Sequence, residues 1–293
     1  MNVAQGKAAA CVDLHMHSTA SDGARSPSEV VRAARDVGLS AIALTDHDTV
    51  DGIAEAQAEG DALGIRIVPG VELSAVEADA ETHLLGLHLR EIGMLEARLH
   101  DLREMRLSRA GRIVAKLNEL GIRVTLEAVL AQAGGGAVGR PHIARALVNE
   151  GWATDLRDAF DRYLGNGKAA FVPKEQLSIA DAIMMIHDAG GLAILAHPGQ
   201  AGTKQRVEAL LALGLDGLEV RHPSHSAEDA TRLLALVEHF RLTPSGGSDW
   251  HGATEGGRSL GMMRVPLSWL ERQDSVVAQR RPTLDEGPQA YVA

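Results

Sequence analysis

Short apolar runs recur along this chain between amphipathic helical patterns, and that alternation restricts it to an α/β fold. Val12-Asp13-Leu14 reads as a short buried strand. Ser26-Pro27-Ser28-Glu29 then opens a helix: Ser26 caps it, Pro27 suits the first helical position, and Glu29 completes a capping box. Val30, Ala33, Ala34 and Val37 follow at helical spacing, and Gly38 ends the run. Ala41–Leu44 is the next strand, followed by a helix over about 51–63 and a strand over 65–71. The same rhythm returns with helices near 179–189, 204–213 and 227–240, each preceding a strand, at 192–196, 217–220 and 242–245. Such alternation predicts βαβ units and a parallel sheet.

The rhythm breaks between about 99 and 172, where every pattern is helical. Residues 101–172 hold eleven Lys and Arg against eight Asp and Glu, a basic island in a chain of net charge −10. An inserted cap that meets an anionic ligand accounts for that contrast; the competing reading is a helical subdomain with solvated charged faces. The expected division is 11–100 and 173–270 for two parts of one α/β domain, 101–172 for the cap, and 271–293 for a polar, patternless tail.

Composition narrows the function. No apolar run approaches the roughly 20 residues that span a bilayer, and the start lacks the basic and apolar regions of a secretory signal. The single cysteine, Cys11, excludes an internal disulfide framework and a cysteine-built metal site. A cytoplasmic protein with no membrane association and no obligate protein partner is expected. The acidic balance argues against a duplex nucleic acid, which needs clustered positive charge. Thirteen histidines against eight Phe, Trp and Tyr residues favour metal binding, provided that they fall in the right places.

They do. Strand one runs into Asp13-Leu14-His15-Met16-His17, and residues two apart in an extended chain point to the same side. Strand two runs into Thr45-Asp46-His47-Asp48, and strand three into Val71-Glu72. His83 precedes the apolar segment 84–87, His197 follows strand 192–196, and Asp249 and His251 follow the strand at 242–245. Loops at the carboxyl ends of parallel strands converge, which brings these groups to one site.

DLHMHS at 13–18, SDG at 21–23, TDHD at 45–48, PGVE at 69–72, AHP at 196–198 and GSDWH at 247–251 together resemble the PHP family, the polymerase and histidinol phosphatase superfamily of metal-dependent phosphoesterases. The resemblance covers nearly the whole chain. It implies a distorted seven-stranded (β/α) barrel with an inserted helical cap. Gly139-Arg140-Pro141-His142 and the following 144–147 look most like the branch whose members hydrolyse phosphate esters of small nucleotides or trim short RNA from its 5′ end.

The family's ligand positions fall on His15, His17, Asp22, His47, Glu72, His83, His197, Asp249 and His251. The resemblance implies one ion on His15, His17, Glu72 and Asp249, a second on Asp22, His47 and His251, and a third on Glu72, His83 and His197. Of these, His15, His17, Asp22, His47, Glu72, Asp249 and His251 carry the catalytic role. Asp22 stands where many relatives have histidine. A carboxylate there favours manganese, magnesium or ferrous iron over zinc, so two or three divalent ions are expected, manganese first. Metal-assisted attack of water on phosphorus is the expected chemistry.

Arg103 and Arg106 share a helix face and suit a second phosphate. Arg140 and His142, at a helix start after a glycine cluster, are further ligand candidates. His225, beyond the strand at 217–220, is a candidate for substrate contact or proton transfer.

The leading expectation is removal of the 3′-phosphate from a 3′,5′-bisphosphonucleotide, pAp to AMP and phosphate. The alternative is a 5′→3′ exoribonuclease on short 5′-phosphorylated RNA. Histidinol phosphate is a third substrate candidate, disfavoured by the insert. An amidohydrolase would use a bridging lysine, but none occurs between Cys11 and His100. A non-catalytic metal-binding module would have lost ligands, whereas all nine positions are filled.

Overall fold

The computed structural model of the chain describes residues 10–78, 80–133, 138–173, 177–253 and 257–280. β1 (Cys11–Asp13) leads to α1 (Pro27–Asp36), β2 (Ala41–Leu44), α2 (Ile53–Leu63) and β3 (Arg66–Glu77). The capping box of α1 is present: the Glu29 N–H donates to Ser26 Oγ, and the Ser26 N–H donates to Glu29 Oε2 at 2.9 Å. β4 (Ala80–Leu87) turns back beside β3, and α3 (Ile92–Glu119) opens the helical segment. α4 (Leu126–Ala133), α5 (Arg140–Asn149) and the short α6 (Leu156–Ala159) complete it. α7 (Ile179–Asp188), β5 (Leu192–Leu195), α8 (Lys204–Ala212), β6 (Gly217–Arg221), α9 (Ala227–Phe240) and β7 (Thr243–Gly246) restore the alternation. β8 (Val265–Pro266) and α10 (Leu267–Gln279) follow.

The strands form one sheet in the order β7-β6-β5-β4-β3-β2-β1-β8. β1, β2 and β3 are mutually parallel, as are β5, β6 and β7, while β4 runs antiparallel to both of its neighbours. The chain beyond β7 closes the sheet onto the chain beyond β1. The Leu14 N–H donates to the Gly246 carbonyl at 3.1 Å, and the Asp249 N–H donates to the His15 carbonyl at 2.8 Å. The result is a nearly closed barrel. Seven strands were expected; β8 is the eighth, a two-residue strand paired antiparallel to β1, too short to leave a periodic pattern in the sequence.

Period-two alternation divides the strand residues between two environments. Ala41, Ala43, Leu85, Leu87, Leu192 and Ile194 pack together inside the barrel. Ile42 and Leu44 face α1 and α2, joining Val30, Val31 and Ala56. Leu84, Ala193 and Leu195 face Ile183 and Ile186 of α7. The helical segment has a core of its own, built on Ile113, Leu117, Val129, Ile143 and Leu147. The expected tail needs correction at its start, because α10 runs through it to Gln279. Leu270 packs against the barrel core, and Gln273 is fully buried between His88 and the Pro244 carbonyl. Residues 281–293 lie outside the described residues. Among the described residues, no helix is long and apolar enough to cross a membrane.

Candidate metal centre

Each chemistry-bearing motif spends its residues on different tasks at the carboxyl end of the barrel. In Thr45-Asp46-His47-Asp48, Thr45 bonds the Met16 backbone, and Asp46 receives the Ser18 N–H at 2.6 Å and the Ser18 and Ser21 hydroxyls at 2.7 Å. Asp46 therefore shapes the loop that presents Asp22. Asp13, the first residue of the first motif, receives the Ser248 and Gly261 N–H groups at 2.9 Å. Burial pushes its carboxyl up to about 6 despite those bonds. Gly247 fits where no side chain could, because a Cβ there would lie 2.4 Å from His15 Cβ.

Glu72 is the hub. Its two oxygens lie 2.9 Å from His83 Nδ1, 3.0 Å from His197 Nε2, 3.1 Å from His15 Nε2, 3.2 Å from His17 Nε2 and 3.3 Å from His47 Nδ1. His17 Nε2 is also 3.1 Å from Asp249 Oδ1, and His251 Nε2 is 3.4 Å from Asp22 Oδ1. Four groups of convergent donor atoms emerge among the described residues: His15, His17, Glu72 and Asp249; His17, Asp22, His47 and His251; His47, Glu72 and His83, with His197 on the same Glu72 oxygen as His83; and His15, Glu219 and His222. All nine sequence-predicted positions thus come together. The grouping differs in that His17 also approaches the second set and His47 the third, and in the added set of His15 with Glu219 and His222.

His17 tests whether a cation fits. It is fully buried, and neither ring nitrogen has a hydrogen-bond partner despite carboxylate oxygens at 3.1 and 3.2 Å. Buried polar atoms are ordinarily paired, so two unpaired nitrogens among carboxylates mark a site shaped for positive charge. The donor set of imidazole and carboxylate suits divalent first-row ions or magnesium. The residues fit.

Electrostatics agree. Burial alone would raise the Glu72 carboxyl, but His15, His17 and His197 hold it well below the usual carboxylate range. Burial would also raise Asp249, and His17 and His222 outweigh it in the same sense. Burial pulls His83 down, yet Glu72 and Glu81 push it up to about 10. Asp22, against its own burial, is lowered to about 2 by His251 and His47. His47 goes the other way, because burial lowers it more than Glu72 raises it. Cations and protons compete for these nitrogens. Three residues of this rim, Asp48, His197 and Asp249, have φ of 50°, 28° and 49°, in the left-handed region that is uncommon for non-glycine residues.

Beside this cluster lies a cleft of about 450 Å³ lined by Asp22, His47, Asp48, Arg103, Arg106 and His142, among others. Arg106 is bound to Asp48 at 2.8 Å, and Arg103 reaches the Asp48 carbonyl at 3.5 Å. His142 receives the Gly139 N–H on Nδ1. Two candidates are placed elsewhere. Arg140 donates to the Leu164 carbonyl and Asn166 Oδ1 and lies over the rings of Phe160 and Phe171, so its guanidinium is engaged within the helical segment. His225 has both nitrogens in use, Nδ1 on the Val220 carbonyl and Nε2 receiving the Gly199 N–H, which suits a loop brace and not proton transfer.

Sequence reasoning missed Glu219, His222 and Arg258. Arg258 Nη1 donates to the carboxylate and the carbonyl of Asp249. His222 Nε2 lies 3.2 Å from Asp249 Oδ2. Glu219 is bonded to His15 Nδ1 at 2.9 Å. Its signal was available: a carboxylate between Leu218 and Val220 inside an apolar strand must have a buried partner. Nothing local singles out Arg258.

A family model described as the PHP domain matches residues 13–165. The chain is 37% identical over 257 residues to the 3′,5′-nucleoside bisphosphate phosphatase of Chromobacterium violaceum, covering 85% of this chain and 90% of that protein. It is 38% identical over 247 residues to the 5′-3′ exoribonuclease Rnm of Escherichia coli, covering 82% and 84% respectively. A solved structure from Bifidobacterium adolescentis, assigned as a metal-dependent phosphoesterase, superposes with a TM-score of 0.71 at 31% identity over 91% of this chain and 96% of that one.

Proposed function

This chain belongs to the PHP-domain family and is a metal-dependent phosphoesterase, and from that premise we propose that it hydrolyses the 3′-phosphate of 3′,5′-bisphosphonucleotides. The carrying observation is the position of Arg103 and Arg106 in one cleft with Asp22 and His47. A substrate with two phosphates can give one to the metal cluster and the other to the arginines. A cleft of about 450 Å³ suits a single nucleotide.

His15, His17, Glu72 and Asp249 would hold one cation, Asp22, His47 and His251 a second, and Glu72, His83 and His197 a third. Divalent ions held there supply Lewis acidity and charge neutralisation for the attack of water on a phosphate ester. The carboxylate of Asp22 favours manganese among the candidates. The remaining work belongs to side chains. Arg103 and Arg106 bind and orient the distal phosphate through charge-assisted hydrogen bonds. His142 lines the same wall, and the helical segment 101–172 acts as the cap that excludes bulk water. Arg258 pairs with the Asp249 carboxylate and holds it beside the cluster. A cytoplasmic setting fits the single cysteine.

The exoribonuclease of E. coli supports a second reading, a 5′→3′ exonuclease on short RNA, which would use the same cluster with a longer groove. Incubation of manganese-loaded protein with pAp and, separately, with a short 5′-phosphorylated RNA decides between them. Release of phosphate from pAp without shortening of the RNA is the expected result. Shortening of the RNA with pAp left intact would reverse the assignment.

A further inference from the structure

We propose that Glu219 is a positioning residue that locks the first and third ligand groups into one unit, fixing the tautomer of His15 and the strained backbone of His197. The inference rests on the reading of those two histidines as cation ligands.

Glu219 sits on β6 with 0% exposure, while its neighbours Leu218 and Val220 join the core that faces the helices. One carboxylate oxygen, Oε1, is 2.9 Å from His15 Nδ1, and the other, Oε2, receives the His197 N–H at 2.7 Å. The His15 and His222 side chains and the His197 backbone thus surround a carboxylate that has no access to water.

Each bond has a separate consequence. A neutral imidazole carries its proton on one nitrogen and a lone pair on the other. An ionised carboxylate only accepts, so Glu219 requires the proton on His15 Nδ1. With a cation bound, Nε2 would then offer its lone pair beside Glu72 Oε2, 3.1 Å away, and Asp249 Oδ1, 3.5 Å away. Histidine ligands commonly depend on such a partner on the far nitrogen. The second bond holds His197, whose φ of 28° lies in the left-handed region, with its Nε2 3.0 Å from Glu72 Oε1. One carboxylate therefore sets a ligand just beyond β1 and a ligand just beyond β5.

Glutamine at this position cannot serve both. Its amide has one accepting oxygen and one donating nitrogen. If the nitrogen faces His15, the imidazole must accept on Nδ1 and place its proton on Nε2, which blocks ligation. If the nitrogen faces the His197 N–H, two donors meet and the strained turn is released. A residue of purely structural importance would lower stability without altering the protonation of His15.

The test compares wild-type and Glu219→Gln protein, stripped with chelator and titrated with manganese while bound metal per chain is measured. We expect the substitution to weaken manganese binding about 10–100-fold and to reduce the ions retained after gel filtration. The melting temperature of the chelator-treated proteins is recorded alongside, so that loss of metal binding is separated from loss of fold. Wild-type affinity and stoichiometry in the substituted protein would overturn the proposal. Failure of the wild-type protein to take up any divalent ion would instead reject the ligand reading beneath it. Should the Glu219→Gln protein not fold, nitrogen-15 NMR of His15 in wild-type protein saturated with a diamagnetic divalent ion, zinc, decides the question. A proton on Nδ1 is expected, and a proton resident on Nε2 overturns it.

Discussion

Arg106 Nη1 donates to Asp48 Oδ2 across 2.8 Å and so ties α3 to the residue directly after His47. The second oxygen of Asp48 receives the Ser74 N–H at 2.9 Å, so one carboxylate joins the helical segment, β3 and the metal-facing loop. Both partners are largely buried, with side chains 17% and 9% exposed, which distinguishes this pair from a screened surface contact.

Arg106→Ala should therefore act twice. Leaving Asp48 short of a partner is expected to lower stability by about 1–3 kcal/mol in urea denaturation. It should also raise KM for a 3′,5′-bisphosphonucleotide about tenfold while changing KM for a nucleoside 3′-monophosphate much less, since about 1.4 kcal/mol of distal-phosphate binding is lost. Equal effects on both substrates would contradict the assignment of the distal phosphate to this arginine.

Metal binding should stabilise the fold through His17. With free manganese at about 100 times its dissociation constant, linkage predicts about 2.7 kcal/mol of added stability for one site, visible as a higher Tm in calorimetry and reversed by chelator. His17→Ala removes a donor shared by two of the groups, so most of that manganese-dependent gain should vanish. An undiminished gain would exclude His17 from cation binding.

Gly247→Ala probes the closure of the barrel. A methyl group there would meet His15 Cβ and the His15 backbone nitrogen at 2.4 Å, and such overpacking costs typically about 1–3 kcal/mol. Gly38, with φ of +79° and open space around its missing Cβ, is the control; alanine there meets only backbone strain. The expected outcome is loss of manganese binding in Gly247→Ala and its retention in Gly38→Ala, measured as bound metal per chain.

Far from the cluster, Asp216 predicts an acid dependence of stability. Its buried carboxylate bonds His187 Nε2, the Ala193 N–H and Arg280. Burial would raise its pKa, but these partners lower it below the ordinary value. A depressed folded-state pKa contributes stability that is present above the unfolded value of about 3.9 and is lost as pH falls through the folded one. Asp216→Asn should thus cost about 1–3 kcal/mol at neutral pH, with the difference from wild type shrinking below about pH 4. A difference that grows on acidification in urea melts would show the sign to be wrong.

Much of this molecule was legible in its sequence because the relevant signals are local. Strand runs such as Ala41–Leu44 and the capping box at Ser26 and Glu29 depend on residues a few positions apart. So do the pairs His15 with His17 and Asp249 with His251. Their recurrence at strand ends was enough to indicate an α/β fold with candidate metal ligands on a shared rim, and the family resemblance added the barrel.

What needed the tertiary structure was every relationship whose partners are remote in the chain. His15 and Glu219 are 204 residues apart, and Asp48 and Arg106 are 58 apart. Arg140 and Arg106 look alike as basic residues on helices. Only packing turns the first toward Phe160 and Phe171 and the second toward the cleft. The physical reason is that residue type and spacing specify what a side chain can bind. Which group meets it inside the fold depends on long-range burial, where an unpaired charge is too costly to keep and a paired one becomes part of the site.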